Sequence, residues 1–235
     1  MDDDILEYPG SPDKPDWASL YLYRGDEVVR ARPIFTGDIF FGVDVQGVGV
    51  IETKNVLVIQ HPCALRSNGV DLNDSLMVAE VTTSKLYQHG EWQGNYRLMP
   101  LPELVAPESH YVGLFTSLYL AIPDSLEPAK RIACLSPVGV NLLLQRWVFH
   151  NSRVVVPTWK YDDVLSSQYE EADLIEEWCE IRSIKKIEIA AATREAAAWF
   201  DDDGGSGVKR RVMLENRQYR AQIRKAMRKY AQSLN

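Results

Sequence analysis

The chain has little cysteine, little histidine and no long apolar run, and each shortage closes off a class of protein. Its three cysteines, Cys63, Cys134 and Cys179, are odd in number and far apart. That pattern suits reduced thiols and speaks against a disulfide framework. The four histidines show no ligand spacing with these cysteines, so no metal or other cofactor is expected. Apolar runs stop after a handful of residues, far short of the ~20 that span a bilayer. The acidic start MDDDILEYPG has no positively charged signal region. A cytoplasmic protein without a membrane partner is the expectation.

What is present is a globular composition, 46% hydrophobic and 25% charged, which excludes disorder of the whole chain. Charge is divided unevenly. Residues 208–235 hold nine Lys or Arg against one acid, Glu215, giving +8, so the preceding 207 residues carry −15 of the net −7. Residues 162–180 hold eight acids and no base, which makes pairing with the basic end, in cis or between copies, an expected partner mode.

Texture along the chain predicts an α+β fold: a small curved antiparallel β barrel followed by an α-helical C-terminal region. Residues 1–33, with four prolines, read as an irregular arm that adds an edge strand near Ser19–Tyr23. Residues 34–130 read as a barrel-like domain of short strands (IFTGDIFFGVDV, VGVIET, NVLVIQ, SLMVAEVT, NYRLMPL, YVGLFTSLYLAI), with glycines at 37, 42, 47 and 49 permitting tight curvature. Residues 131–200 read as strand IACL and then helices. Ser136 caps the first, with Pro137 at its first position, and Ser167 with Glu170 forms a capping box for a second. Residues 201–207, DDDGGSG, read as a flexible linker, and 208–235 as a detachable basic amphipathic helix. On that helix Val212, Tyr219, Ile223, Met227, Tyr230 and Leu234 make an apolar stripe beside Arg217, Arg220, Arg224 and Arg228.

Three groups of residues carry candidate chemistry. In NVLVIQHPCALR an apolar strand breaks at a Pro and presents His61, Cys63 and Arg66. Cys63 is either a small packed residue with His61 in a turn, or a thiolate nucleophile with His61 as its base. Arg66, beside Ser67, Asn68 and Gly69, offers a planar fork to an anion or phosphate, or an ion pair to one of the many acids. The arginine stripe either docks on acidic helices or a partner protein, or tracks the backbone of RNA or DNA. The acid runs at Glu176–Glu177 and Asp201–Asp203 have the chemistry of a divalent-cation site, but such unpaired runs are usually solvated helix ends, and that is the expectation here. The aromatics of the helical half, Trp147, Phe149, Trp159, Trp178 and Trp199, are expected to pack the core.

The order GDIFFGVDV (Gly37–Val45), VLVIQ (Val56–Gln60) and LMVAEVTTS (Leu76–Ser84) resembles the SH3-like barrel of MazF/PemK-type toxin endoribonucleases. The resemblance covers about 50 of the 235 residues. It implies a barrel, and an RNA-cleaving site in which Lys54 would hold the basic position and Thr83 or Ser84 the hydroxyl, with Arg66 nearby. Lys54-Asn55 stands where that family has Arg-Pro. An ammonium is a point charge and does not reproduce the bidentate grip of a guanidinium on a phosphoryl group. The sequence therefore supports two leading readings, a binding or regulatory module engaging nucleic acid or a partner protein, and a toxin-like or phage-defence endoribonuclease. A Cys63-dependent enzyme is the third.

Overall fold

The computed structural model describes residues 5–29, 31–47 and 49–234, so the acidic start Met1–Asp4, Arg30 in the arm and Val48 in VGVIET lie outside the described residues. The chain divides into two compact units that interleave in sequence. The first takes 1–28, 36–61 and 74–163; the second takes 29–35, 62–73 and 164–235.

The first unit holds the strands. A minimal ladder, β1 (Gly10–Ser11) with β2 (Lys14–Pro15), precedes β3 (Tyr21–Arg24), β4 (Asp38–Gln46), β5 (Ile51–Val58), β6 (Leu76–Thr83), β7 (Leu98–Leu101), β8 (Tyr111–Ala121) and β9 (Arg131–Leu135). The last seven form one antiparallel sheet in the order β3-β9-β4-β5-β6-β8-β7. Its strands follow the apolar runs of the sequence, and the arm supplies the edge strand β3. VGVIET and NVLVIQ merge into the single strand β5. Gly42 sits at φ 67° where the β4–β5 register shifts between Phe40 and Val43, and its N–H donates to Asn55 Oδ1 at 3.1 Å. Only glycine takes that left-handed conformation freely, so the bulge and the bend it makes are written into one residue.

Two helices complete this unit, α1 (His89–Gly94) and α2 (Pro137–Ser152). Ser136 caps α2 by accepting from Gly139 N at 3.1 Å, with Pro137 in the first turn. The α2 residue Arg146 is fully buried and donates to three main-chain carbonyls, Leu98 (2.9 Å), Trp92 (3.0 Å) and Asn95. Two of these lie at the end of α1, where helix carbonyls lack internal partners. Burial pushes the Arg146 guanidinium down to about 9, which still leaves it charged at neutral pH.

The long helix α3 runs Thr158–Ser183. The expected capping box is corrected here: Ser167 lies well inside the helix, and the start is at Thr158. Its cap arrives from far upstream. The Glu7 carboxylate accepts from Thr158 N at 2.7 Å and from Thr158 Oγ1 at 2.5 Å. A serine followed three residues later by a glutamate also occurs by chance within helices, and a cap supplied 151 residues away leaves no local trace.

The second unit is helical: α3 from Val164 onward, α4 (Ile189–Asp201), α5 (Arg210–Met213) and α6 (Arg217–Ser233). Its core joins Leu174, Ile175, Trp178, Cys179, Ala192, Ala196, Trp199, Phe200, Leu214, Ile223, Met227 and Ala231. The segment 29–35 is held to α3 by Arg32, buried with Glu176 at 2.5 Å. Residues 208–235 break at Asn216, whose side chain accepts from Gln218 N, so the single expected helix is in fact α5 and α6. Ile223 and Met227 of its stripe are core residues, while Val212 and Tyr219 are exposed. The detachable reading is corrected by this burial: α6 supplies three residues of the unit's core. The acidic turn before it is tied down as well, with Lys209–Asp201 at 2.9 Å, Arg210–Asp202 at 2.6 Å and Arg211–Asp201 at 3.2 Å. Trp178 and Trp199 are core aromatics as expected, whereas Trp159 is exposed. Among the described residues, no helix is long and apolar enough to cross a membrane.

Candidate functional site, a cavity in the helical unit

The chain leaves β5 and enters the second unit at Pro62. Pro62–Ala64 is one 3-10 turn, and Arg66 pairs with Leu72 in a single antiparallel bridge. The tip between them is set by Asn68, whose Oδ1 accepts from Val70 N (2.9 Å) and Asp71 N (2.8 Å), with Gly69 at φ 80°. Asn followed by Gly is the dipeptide that builds such a tip. The result is a short hydrogen-bonded finger carrying Cys63, Leu65 and Arg66.

This finger, Pro33–Phe35, one face of α3, and α5 with the residues just after it line a cavity of about 300 Å³. Gln168, Glu171, Ala172 and Ile175 are spaced i, i+3, i+4, i+7, so a single stripe of α3 forms the wall. Pro33, Phe35, Leu65, Ala172 and Ile175 make most of the lining apolar. The charged lining is two guanidiniums, Arg66 and Arg211, one mostly buried carboxylate, Glu171, and one exposed carboxylate, Glu215.

Their bonding differs. Arg211 is held by four groups: Nε donates to both Glu171 oxygens (3.0 and 2.9 Å), Nη1 to Asp201 at 3.2 Å, and Nη2 to Gly69 O at 2.8 Å and Ala197 O at 3.5 Å. Arg66 donates from Nη1 to Val70 O at 2.7 Å, one bond for a five-donor fork. Burial holds Arg66 below the ordinary arginine range, with Glu171 pulling upward and Arg211 pushing downward. Burial also raises the Glu171 carboxyl, while Arg211 and Arg66 pull it back. Gln168 places its amide 3.6 Å from Cys63 Sγ. Cys63 is exposed at this cavity, whereas Cys134 and Cys179 are buried, and burial pushes the Cys179 thiol up to about 11. Arg66 carries a guanidinium toward an apolar cavity and Arg211 fixes the walls.

The other predicted residues fall elsewhere. Lys54 and Thr83 belong to the first unit, as does His61, while Cys63 and Arg66 belong to the second. Neither unit by itself assembles Lys54, Arg66 and Thr83, or His61 with Cys63. Lys54 is held by Glu52 at 3.0 Å and Glu80 at 3.2 Å, and these partners raise it above the ordinary lysine range. Thr83 closes β6 opposite Tyr111, and Ser84 Oγ donates to Lys85 O at 3.0 Å. Partial burial lowers the His61 pKa.

The basic stripe is largely spent inside its own unit. Arg224 pairs with Glu170 at 2.9 Å and Glu177 at 3.3 Å, Arg228 pairs with Glu177, and Arg220 donates to Leu214 O at 2.9 Å and Ser166 Oγ at 3.1 Å. Arg217 stands exposed at the start of α6. Glu176, Glu177 and Asp201 are thereby taken by arginines or lysines, and the described residues contain no cluster of three His, Cys, Asp or Glu arranged for a metal. No protein-family model and no curated protein matches the chain.

Arg211 and Glu171 are the members that sequence reading missed. They lie 40 residues apart and pair across helices. The acidic 162–180 stretch facing a basic end was their one visible signal.

Proposed function

We propose that the chain is a binding module built on a small curved β barrel, with the cavity of its helical unit as the recognition site. Support for the barrel comes from the pairing pattern. Besides β5 and β9, strand β4 meets β8 at one residue pair, Gln46 opposite Leu120, the contact that a β4-β5-β6-β8 barrel requires. Support for binding comes from one observation above others, a guanidinium with a single acceptor among the described residues, on the wall of a mostly apolar cavity whose second guanidinium is held by four protein groups. Such a wall selects a ligand by an acidic group. Nucleic acid is the weaker partner, because Arg220, Arg224 and Arg228 are bonded in cis and the chain carries −7 overall.

The test is a fragment screen on the full chain with two readouts, the melting temperature and the alkylation rate of Cys63, the exposed thiol at the cavity. Fragments that raise the first and slow the second are expected; their complete absence from a screen at about 1 mM would remove the reading. The MazF/PemK-like endoribonuclease is the second reading, on the order of its strand sequences alone, since Lys54 lies inside β5 and is paired with Glu52 and Glu80. It requires RNA cleavage by the purified chain that Lys54→Ala and Thr83→Ala abolish.

A further inference from the structure

We infer that the cavity takes an apolar carboxylate, a monoanion whose carboxylate meets Arg66 and whose hydrocarbon body lies among Phe35, Leu65, Ala172 and Ile175. This rests on the binding-module reading and names the ligand class. The first argument is charge. The cavity's polar end holds two cations, Arg66 and Arg211, and one mostly buried anion, Glu171, whose two oxygens Arg211 already holds; the other lining acid, Glu215, is exposed to solvent. Asp201, the other acid on Arg211, is 34% exposed and shares itself with Lys209. One further negative charge balances the mostly buried set of Arg66, Arg211 and Glu171. Buried charges persist when paired and hydrogen-bonded, and a carboxylate is the acceptor that matches a guanidinium fork with two parallel bonds.

The second argument is shape. About 300 Å³ sits at the small end of the roughly 300–1,000 Å³ typical of small-molecule sites, and most of its lining is apolar. A dianionic phosphate with a polar sugar would bring more charge than one fork balances and would strand its hydroxyls against Phe35, Leu65 and Ile175. A carboxylate on a compact hydrocarbon leaves no polar group unpaired. The same chemistry is presented by a free acid and by a peptide C-terminus ending in an apolar residue.

Isothermal titration of the full chain with 3-phenylpropionate, 3-phenylpropionamide, a peptide ending in Leu-Phe with a free carboxylate, and its C-terminal amide separates these cases. The acid is expected to bind at least about tenfold tighter than its amide, and Arg66→Gln to abolish that preference, because a charge-assisted bidentate pair carries about that factor. Preference for the free-carboxylate peptide over 3-phenylpropionate would assign the site to a peptide terminus; the reverse would assign it to a small acid. Equal binding of acid and amide would overturn the carboxylate class while leaving a binding cavity. Absence of all binding up to about 10 mM would overturn both. Should Arg66→Gln lower the melting temperature, Arg66→Lys and protection of Cys63 from alkylation in the wild-type chain supply the same decision. A ligand that binds without shielding Cys63, and equally in Arg66→Lys, contradicts the proposal.

Discussion

Replacing Arg211 by Met keeps much of the side-chain volume and removes every polar contact the residue makes. Five interactions go: two to Glu171, one to Asp201, one to Gly69 O and one to Ala197 O. The pair is mostly buried, Arg211 at 25% and Glu171 at 15% side-chain exposure, so solvent does not cover the loss. Removing one member of a buried pair costs about 3–5 kcal/mol, mainly because the remaining charge is left without compensation. Arg66 lies near enough to Glu171 to recover part of this, which sets the expectation for Arg211→Met at about 3 kcal/mol at neutral pH. The loss depends on pH in a defined direction. Burial already raises the Glu171 pKa, and losing Arg211 raises it further, so the native variant binds more protons than the unfolded chain in the mildly acidic range. Native stability of the variant therefore falls as pH rises through that range, and the gap from wild type is larger at about pH 7 than at about pH 5. Glu171→Gln in the same background is expected to recover at least about 1 kcal/mol at pH 7 by removing the stranded charge. Urea unfolding followed by tryptophan fluorescence reads all of these, since Trp178 and Trp199 lie in the same unit's core. A single-variant loss below about 1 kcal/mol, or one that does not change with pH, would refute the account of Arg211 as the fixed member of the site.

Three further outcomes are expected. Arg146→Met leaves the carbonyls of Trp92, Asn95 and Leu98 without donors; setting their desolvation against the relief of a buried charge gives a loss of about 2–4 kcal/mol by urea unfolding, and a loss under about 1 would contradict the clamp. Burial and then Arg153 lower the His150 pKa, so the native state resists protonation there and stability is lost as pH falls below about 6.5. His150→Gln should reduce the loss of stability between about pH 7 and 5; His61 contributes with the same sign, and the raised Glu171 and Asp173 carboxyls with the opposite one. Removing the cis partners of the stripe with Glu170→Gln and Glu177→Gln should raise RNA affinity at least about threefold at low salt and steepen its salt dependence, measured by fluorescence anisotropy; no change would mean that cis pairing is not what limits the stripe.

The strands were legible because their signal is local. Runs such as VLVI and LMVAEV each bury their apolar residues within one sheet, and Gly42 marks its bulge by residue type alone. The start of α2 was legible for the same reason, since Ser136 and Pro137 act on their own helix. Legibility failed where the partner is remote. The cap of α3 is Glu7, and no pattern near Thr158 announces it, whereas Ser167 and Glu170 imitate one. Arg66 stood out because a strand delivers it beyond a proline, but the difference between it and Arg211 lies in which acceptors each finds. The basic stripe on α6 was visible as spacing; that Glu170 and Glu177 of α3 absorb it depends on how two helices pack. Interleaving of the two units explains why linear boundaries drawn from composition follow neither of them.

The most direct measurement is the Nε–Hε resonance of Arg66 in a nitrogen–proton spectrum, assigned by its disappearance in Arg66→Gln, followed while 3-phenylpropionate is titrated into the full chain. A saturable shift of that resonance, larger than that of Arg211 and absent with 3-phenylpropionamide, is the predicted result. A stationary Arg66 resonance under conditions where calorimetry detects binding would contradict the account, because the carboxylate would then be held elsewhere.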